Sequence, residues 1–176
     1  RAMTVEKPLK SAYLLSTALG IYHVFLNGQK VGQDQMAPGW TSYNKHLLYQ
    51  IYDVTEVLRP GENVLTGFVT AGWYKGRMGF PSLVKLHNHY GERAAFACEL
   101  HIEYEDGTRA VLRTDESWRG APGPVVFSEI YDGETYDARL ELADWASAQE
   151  ATGGWRPVST VPFHAAALAA PPGRGL

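Results

Sequence analysis

Residues 96–104 alternate without a break. Phe96, Cys98, Leu100, Ile102 and Tyr104 fall on one side; Ala97, Glu99, His101 and Glu103 fall on the other. Side chains leave a strand toward opposite faces with a period of two, so this stretch reads as a half-buried antiparallel strand. The other apolar runs are equally short and are separated by turn residues. Residues 21–26 and 29–31 flank Asn27-Gly28, and Asn-Gly supplies the two positive-φ positions of a two-residue hairpin turn. Further strands are expected at 10–17, 47–52, 63–70, 108–113, 124–128 and 134–138. A closing strand at 155–161 is placed at a sheet edge by Pro157. Two short helical turns are expected, at 53–58 with Thr55 as cap and at 143–149. Eight or nine short strands with turn signals between them predict an all-β fold, a jelly-roll β-sandwich with short helical turns.

The 176 residues fit one domain, read as 1–162, followed by a small, Pro/Gly-rich, linker-like segment at 163–176. The chain opens without Met and reads as a piece of a longer protein. A hydrophobic share of 45% with 20% charged residues is that of a folded chain rather than a disordered one. A net charge of −3 with no basic stripe argues against a nucleic-acid partner, since phosphate binding needs clustered Lys and Arg. No apolar run approaches the length that crosses a bilayer, so no membrane partner is expected. The single cysteine, Cys98, cannot form an internal disulfide, and its place on the apolar face marks it as an inert core residue.

Aromatics reach 12% of the chain and cluster beside hydrogen-bonding groups. Residues 128–140 (SEIYDGETYDARL) set Asp132, Glu134 and Asp137 among Tyr131 and Tyr136. Trp40 precedes Tyr43 and Asn44; Trp73 precedes Arg77 in the longest irregular stretch, 72–93. A sugar ring stacks its C–H face on an aromatic ring while Asn, Arg and Glu reach its hydroxyls. Trp40, Tyr43, Asn44, Trp73, Arg77, Glu134 and Tyr136 are therefore the candidate carbohydrate-binding residues. The same clusters also suit plugs at the ends of a sandwich. Trp118 and Trp155 read as structural.

No catalytic residue is assigned. Glycoside hydrolysis needs two carboxyls facing across one bond, whereas Asp132 and Glu134, two apart on a strand, would point the same way. No Gly-x-Ser-x-Gly elbow occurs, and Lys75 lacks the Ser or Thr of a phosphate loop. His87 and His89 are spaced as two metal ligands can be, but no third is evident nearby, and a solvated loop is the simpler reading. No metal residue is assigned.

Beyond this chemistry, several segments resemble the N-terminal β-sandwich domain of bacterial α-L-rhamnosidases, glycoside hydrolase family 78. They are 22–32 (YHVFLNGQKVG), 38–43 (PGWTSY), 49–63 (YQIYDVTEVLRPGEN), 72–80 (GWYKGRMGF), 115–118 (DESW) and 130–140 (IYDGETYDARL). The pairing of GWYKGR with IYDGETYDAR is the most specific part. The resemblance implies a galactose-binding-like sandwich that precedes a catalytic (α/α) barrel in the same polypeptide. The barrel carries the acid and base, so this chain is expected not to be an enzyme by itself. Its parent would hydrolyse terminal α-L-rhamnosides by inversion. Related sandwiches bind L-rhamnose with a calcium ion held partly by an Asp-Asn pair; here the matching position reads Tyr43-Asn44. No cofactor is therefore expected, calcium being the one candidate that the resemblance raises. The partners implied are L-rhamnose or rhamnosides and the catalytic domain. Two alternatives stand beside carbohydrate contact: a scaffold packed on the barrel, with Trp73 and Tyr136 at the junction, or the sugar-binding domain of another glycosidase such as a β-galactosidase-like enzyme.

Overall fold

The computed structural model describes residues 1–77, 87–147, 154–162 and 167–170. Two four-stranded antiparallel sheets face each other. One is ordered β1 (Ala2–Val5), β7 (Gly61–Thr70), β3 (Ile21–Leu26), β4 (Gln29–Val31). The other is ordered β6 (Gln50–Asp53), β2 (Leu9–Leu19), β8 (Ala95–Tyr104), β9 (Arg109–Arg113). Three short pairings complete the described residues: β5 (Leu47–Leu48) with β14 (Leu168–Ala169), β10 (Arg119–Gly120) with β13 (Arg156–Pro157), and the hairpin of β11 (Val125–Glu129) and β12 (Gly133–Tyr136).

The alternation seen in the sequence fills the space between the sheets. Cys98, Leu100 and Ile102 of β8 are buried, as are Ala12 and Leu14 of β2, and Leu14 lies directly opposite Leu100. From the facing sheet come Tyr22, Val24, Leu26 and Leu65. Tyr22 is 2% exposed, and its hydroxyl is held by Gln50 Oε1 at 2.7 Å and by Ser16, which satisfies the one polar atom this ring carries into the core. Burial pushes its ionisation up to about 12. The layers approach closely at Gly67, where a Cβ would stand 2.6 Å from the ring of Phe96. Trp118 is buried in the same core and donates its indole N–H to the Arg113 carbonyl, which bears out its structural reading.

The Asn27-Gly28 hairpin forms as expected, with φ of +54° and +81°. Asn27 also ties the hairpin to β7. Its Nδ2 donates to Asn63 Oδ1, and its Oδ1 accepts from the Val64 N–H.

Several expectations need correction. The strand expected at 47–52 is two, broken at Tyr49, whose N–H leaves to donate to the Ala169 carbonyl. The turn after β6 is capped by Asp53 rather than Thr55: Asp53 Oδ1 accepts from both the N–H and the hydroxyl of Thr55. Ala138 leaves the strand expected at 134–138 and opens a 3-10 turn, Ala138–Leu140, because Asp137 turns back to accept from the Arg139 N–H. Over 143–147 the chain forms turns, with Asp144 at φ +54°, in place of the expected helix; 148–149 lie outside the described residues. The closing strand shrinks to β13. Strand β1 was not anticipated. Within 163–176, Leu168–Ala169 pair in parallel with Leu47–Leu48, while 163–166 and 171–176 lie outside the described residues.

Candidate functional site

Strand β7 runs into one helical turn, α1 (Gly72–Lys75), closed by the Lys75 and Gly76 N–H groups on the carbonyls of Ala71 and Gly72. The β11–β12 hairpin lies against it. The Ala71 N–H donates to Ser128 Oγ, the Arg77 N–H donates to Glu129 Oε1, and the Arg77 guanidinium grips Asp132 through Nε and Nη2. GWYKGR and IYDGETYDAR, distant in sequence, are thus one structural unit. Gly76 permits it: a Cβ there would stand 3.1 Å from Glu129 Oε1 and 2.4 Å from the Gly72 carbonyl oxygen. The Arg77 guanidinium also lies over the ring of Tyr131, 5.1 Å from its centroid. Its hydrogen bond to Asp132 holds that carboxyl below the usual carboxylate range and raises the guanidinium in turn.

The acidic residues of this motif do not converge. Asp132 belongs to Arg77, and Asp137 is bound by Arg139 through two hydrogen bonds and lowered by them. Glu134 is exposed on β12. The Tyr136 hydroxyl donates to Glu141 Oε1 at 2.6 Å, which raises its ionisation.

The other candidates occupy a second apolar cluster and a loop. Tyr43 is 3% exposed and packs with Leu19 and Leu47. Its ring meets Tyr74 and Tyr90 edge-on at 5.3 and 4.9 Å, and burial raises its ionisation. Trp73 packs against the same cluster. Trp40 is 55% exposed, and Asn44 is exposed beside it in sequence. Among the described residues, no hydrogen bond, ion pair or ring contact joins Trp40 or Asn44 to Arg77, Glu134 or Tyr136. His87 Nδ1 lies 3.5 Å from Glu129 Oε1, and the His89 ring meets Tyr90. No group of three His, Cys, Asp or Glu side chains among the described residues is placed to hold a metal.

Sequence reasoning missed Glu129. Its side chain is 2% exposed, and its second oxygen, Oε2, has no hydrogen-bond partner among the described residues. Its neighbours in sequence carry no signal of this, because the burial comes from Gly76 and Arg77. Glu129 is among the residues lining a broad groove that passes β3 and β7, the ends of β2 and β8 and the β11–β12 hairpin. Phe25 and Phe68 floor this groove and meet the Trp145 ring at 4.9 and 5.9 Å. Of the seven candidate residues, only Tyr136 lines it.

This is a jelly-roll β-sandwich of the galactose-binding-like kind, built on a tight strand–turn–hairpin junction. A family model described as the α-L-rhamnosidase N-terminal domain matches residues 7–176, and the chain belongs to that family. An α-L-rhamnosidase of Streptomyces avermitilis is 47% identical over 142 residues, covering 81% of this chain and 13% of that protein. One of Formosa agariphila is 35% identical over 163 residues, covering 92% of this chain and 17% of that protein. Among solved structures, the native α-L-rhamnosidase of Aspergillus terreus superposes with a TM-score of 0.92 at 38% identity, covering 97% of this chain and 20% of that one. The Streptomyces avermitilis enzyme complexed with L-rhamnose superposes with a TM-score of 0.86 at 42% identity, covering 93% of this chain and 16% of that one. The chain spans 13–17% of the length of these two curated relatives. This kinship sets aside a β-galactosidase-like origin.

Proposed function

We propose that this chain is a non-catalytic accessory domain of an α-L-rhamnosidase that contacts carbohydrate, L-rhamnose or a rhamnoside. Its parent hydrolyses terminal α-L-rhamnosides by inversion, the bond-breaking groups lying in the catalytic domain of the same polypeptide. The reading is supported above all by the α1–hairpin junction. It sets the Arg77 guanidinium, fixed on Asp132, against the exposed ring of Tyr131, a pairing of polar group and aromatic face that suits a hexose. Trp40 offers a second, exposed stacking ring. A site with so few desolvated groups binds weakly, at about 0.1–1 mM.

A scaffold role has its own support. Val126, Phe127, Tyr131, Tyr136 and Leu140 leave an exposed apolar strip along the same hairpin, which suits packing on a neighbouring domain. Tryptophan fluorescence of the chain titrated with L-rhamnose, with and without calcium, separates the two. Carbohydrate contact predicts a saturable change that Trp40→Ala weakens. Silence at tens of millimolar sugar in both conditions leaves the scaffold.

A further inference from the structure

We infer that Asn27-Gly28 is a site of spontaneous covalent modification, by backbone attack on the Asn27 amide, and that the turn at 144–147 is the gate that holds it off while the sandwich is closed. The inference concerns the β3–β4 hairpin and is independent of any carbohydrate contact.

The chemistry belongs to the dipeptide. Glycine sets no side chain beside its own nitrogen, so the Gly28 nitrogen can approach the carbonyl carbon of the Asn27 side chain once hydroxide has taken its proton. A C–N bond forms, the side-chain nitrogen leaves as ammonia, and a five-membered imide remains. Water then opens the ring on one side or the other. The product is an aspartate at position 27 or an isoaspartyl link to Gly28. Solvent supplies the hydroxide and the water, and nothing is oxidised or reduced.

The fold withholds the nucleophile. The Gly28 N–H, whose proton must leave, donates to the Ala146 carbonyl at 2.9 Å. The side-chain nitrogen that must depart donates to Asn63 Oδ1 at 2.8 Å and to the Val57 carbonyl at 3.2 Å. One contact acts the other way: the Val64 N–H donates to Asn27 Oδ1 at 2.9 Å and polarises the carbonyl under attack. The amide is thus primed, and the Ala146 bond is what restrains its attacker.

Apolar contact keeps the gate in place. The Trp145 ring meets Phe25 and Phe68 at 4.9 and 5.9 Å. Ser147 Cβ lies only 3.2 Å from where a Cβ on Gly28 would stand, so the turn sits directly on the hairpin tip. Modification is not undone by reclosing. A carboxylate at position 27 cannot donate to Asn63 Oδ1 or to the Val57 carbonyl, and it turns negative charge toward both oxygens.

The test is peptide-level mass spectrometry of the 176-residue chain held at mildly alkaline pH. Three samples are compared: folded wild type, wild type unfolded in guanidinium chloride, and folded Trp145→Ala. Conversion at position 27 should be fast in the unfolded chain. It should be at least roughly tenfold slower in the folded wild type, about the factor that one net hydrogen bond supplies. Trp145→Ala, which unseats the turn, should speed it again. No conversion in the unfolded chain would remove the site. Equal rates in folded and unfolded wild type, or a folded Trp145→Ala chain as slow as the wild type, would remove the gate. If Trp145→Ala does not fold, exchange of the Gly28 amide in the folded wild type decides. An N–H that exchanges as it does in the unfolded chain is not held by Ala146.

Discussion

Arg77 and Asp132, 55 residues apart, meet in a two-point ion pair, with Nη2 2.8 Å from Oδ1 and Nε 3.2 Å from Oδ2. This geometry fixes the helical turn to the hairpin in orientation as well as distance. Asp132 is about half exposed, so salt should screen the attraction. Asp132→Asn is expected to melt below the wild type at low ionic strength, with the gap closing near roughly 1 M salt. Thermal melts at the two salt concentrations check this. A gap indifferent to salt would mean that shape, not charge, holds the junction.

Leu100 stands beside Leu14 on the neighbouring strand of the same sheet, and both are fully buried in the core. Truncating Leu100 to Ala removes contacts that close-packed neighbours cannot replace. We expect a loss of about 2–5 kcal/mol, measured as a lower urea midpoint with an unchanged slope.

Asn63 is 1% exposed, and all of its hydrogen-bonding capacity is used within the protein. Nδ2 donates to the carbonyls of Arg59 and Gly61, while Oδ1 accepts from the Arg59 N–H and Asn27 Nδ2. Asn63→Ala orphans several of these partners at about 1–3 kcal/mol for each group left buried. It should destabilise the fold and speed amide exchange at Val64, whose N–H is held by Asn27. Asn63→Asp, which turns an anionic oxygen toward the Arg59 and Gly61 carbonyls in a buried site, should be at least as destabilising as Ala at neutral pH.

Cys98 is buried and its thiol is pushed up to about 12 by desolvation. Only the thiolate reacts, so a disulfide-exchange reagent at neutral pH should find no accessible group until the sandwich opens. Reaction should follow the urea unfolding curve. Fast labelling under native conditions would contradict the burial.

Acid should weaken the fold over a definite window. Asp106 is lowered to about 2, first by its hydrogen bond from Lys7, and Asp132, Asp137, Glu99 and Glu103 are lowered as well. A carboxylate whose folded value lies below its unfolded value stabilises the fold above the unfolded value, and this contribution disappears as pH falls through the folded one. For Asp106 the window runs from its ordinary value near 3.8 down to about 2. Chemical denaturation should give a flat stability from these groups between roughly pH 5 and 7 and a decline below roughly pH 4. Lys7→Met should shrink the Asp106 share of that decline, leaving the part that the two hydrogen bonds from Thr108 supply.

How legible this was depends on how local each feature is. The alternation over 96–104 and the Asn27-Gly28 turn are local statements, and the fold honours both. Strand β1 shows no alternation over its four residues, so only its pairing with β7 makes it a strand. The small residues around Leu168 read as linker because composition cannot reveal a parallel partner 121 positions earlier at Leu47. Site residues were harder. An aromatic beside Asn reads the same whether it faces solvent or, like Tyr43, the interior. Glu129 owes its burial to Gly76 and Arg77, contacts that no inspection of its neighbours in sequence would disclose.

The place where Phe96 lies over Gly67 bears on how this sandwich can change. One added methyl at Gly67 would act as a wedge against an aromatic face, prising the layers apart at mid-height. Most positions along these strands can drift by exchanging one branched side chain for another. This one has only a hydrogen atom to give, so compensation must come from the opposite layer, through a smaller or reoriented residue at Phe96. The two positions are bound to vary together or not at all.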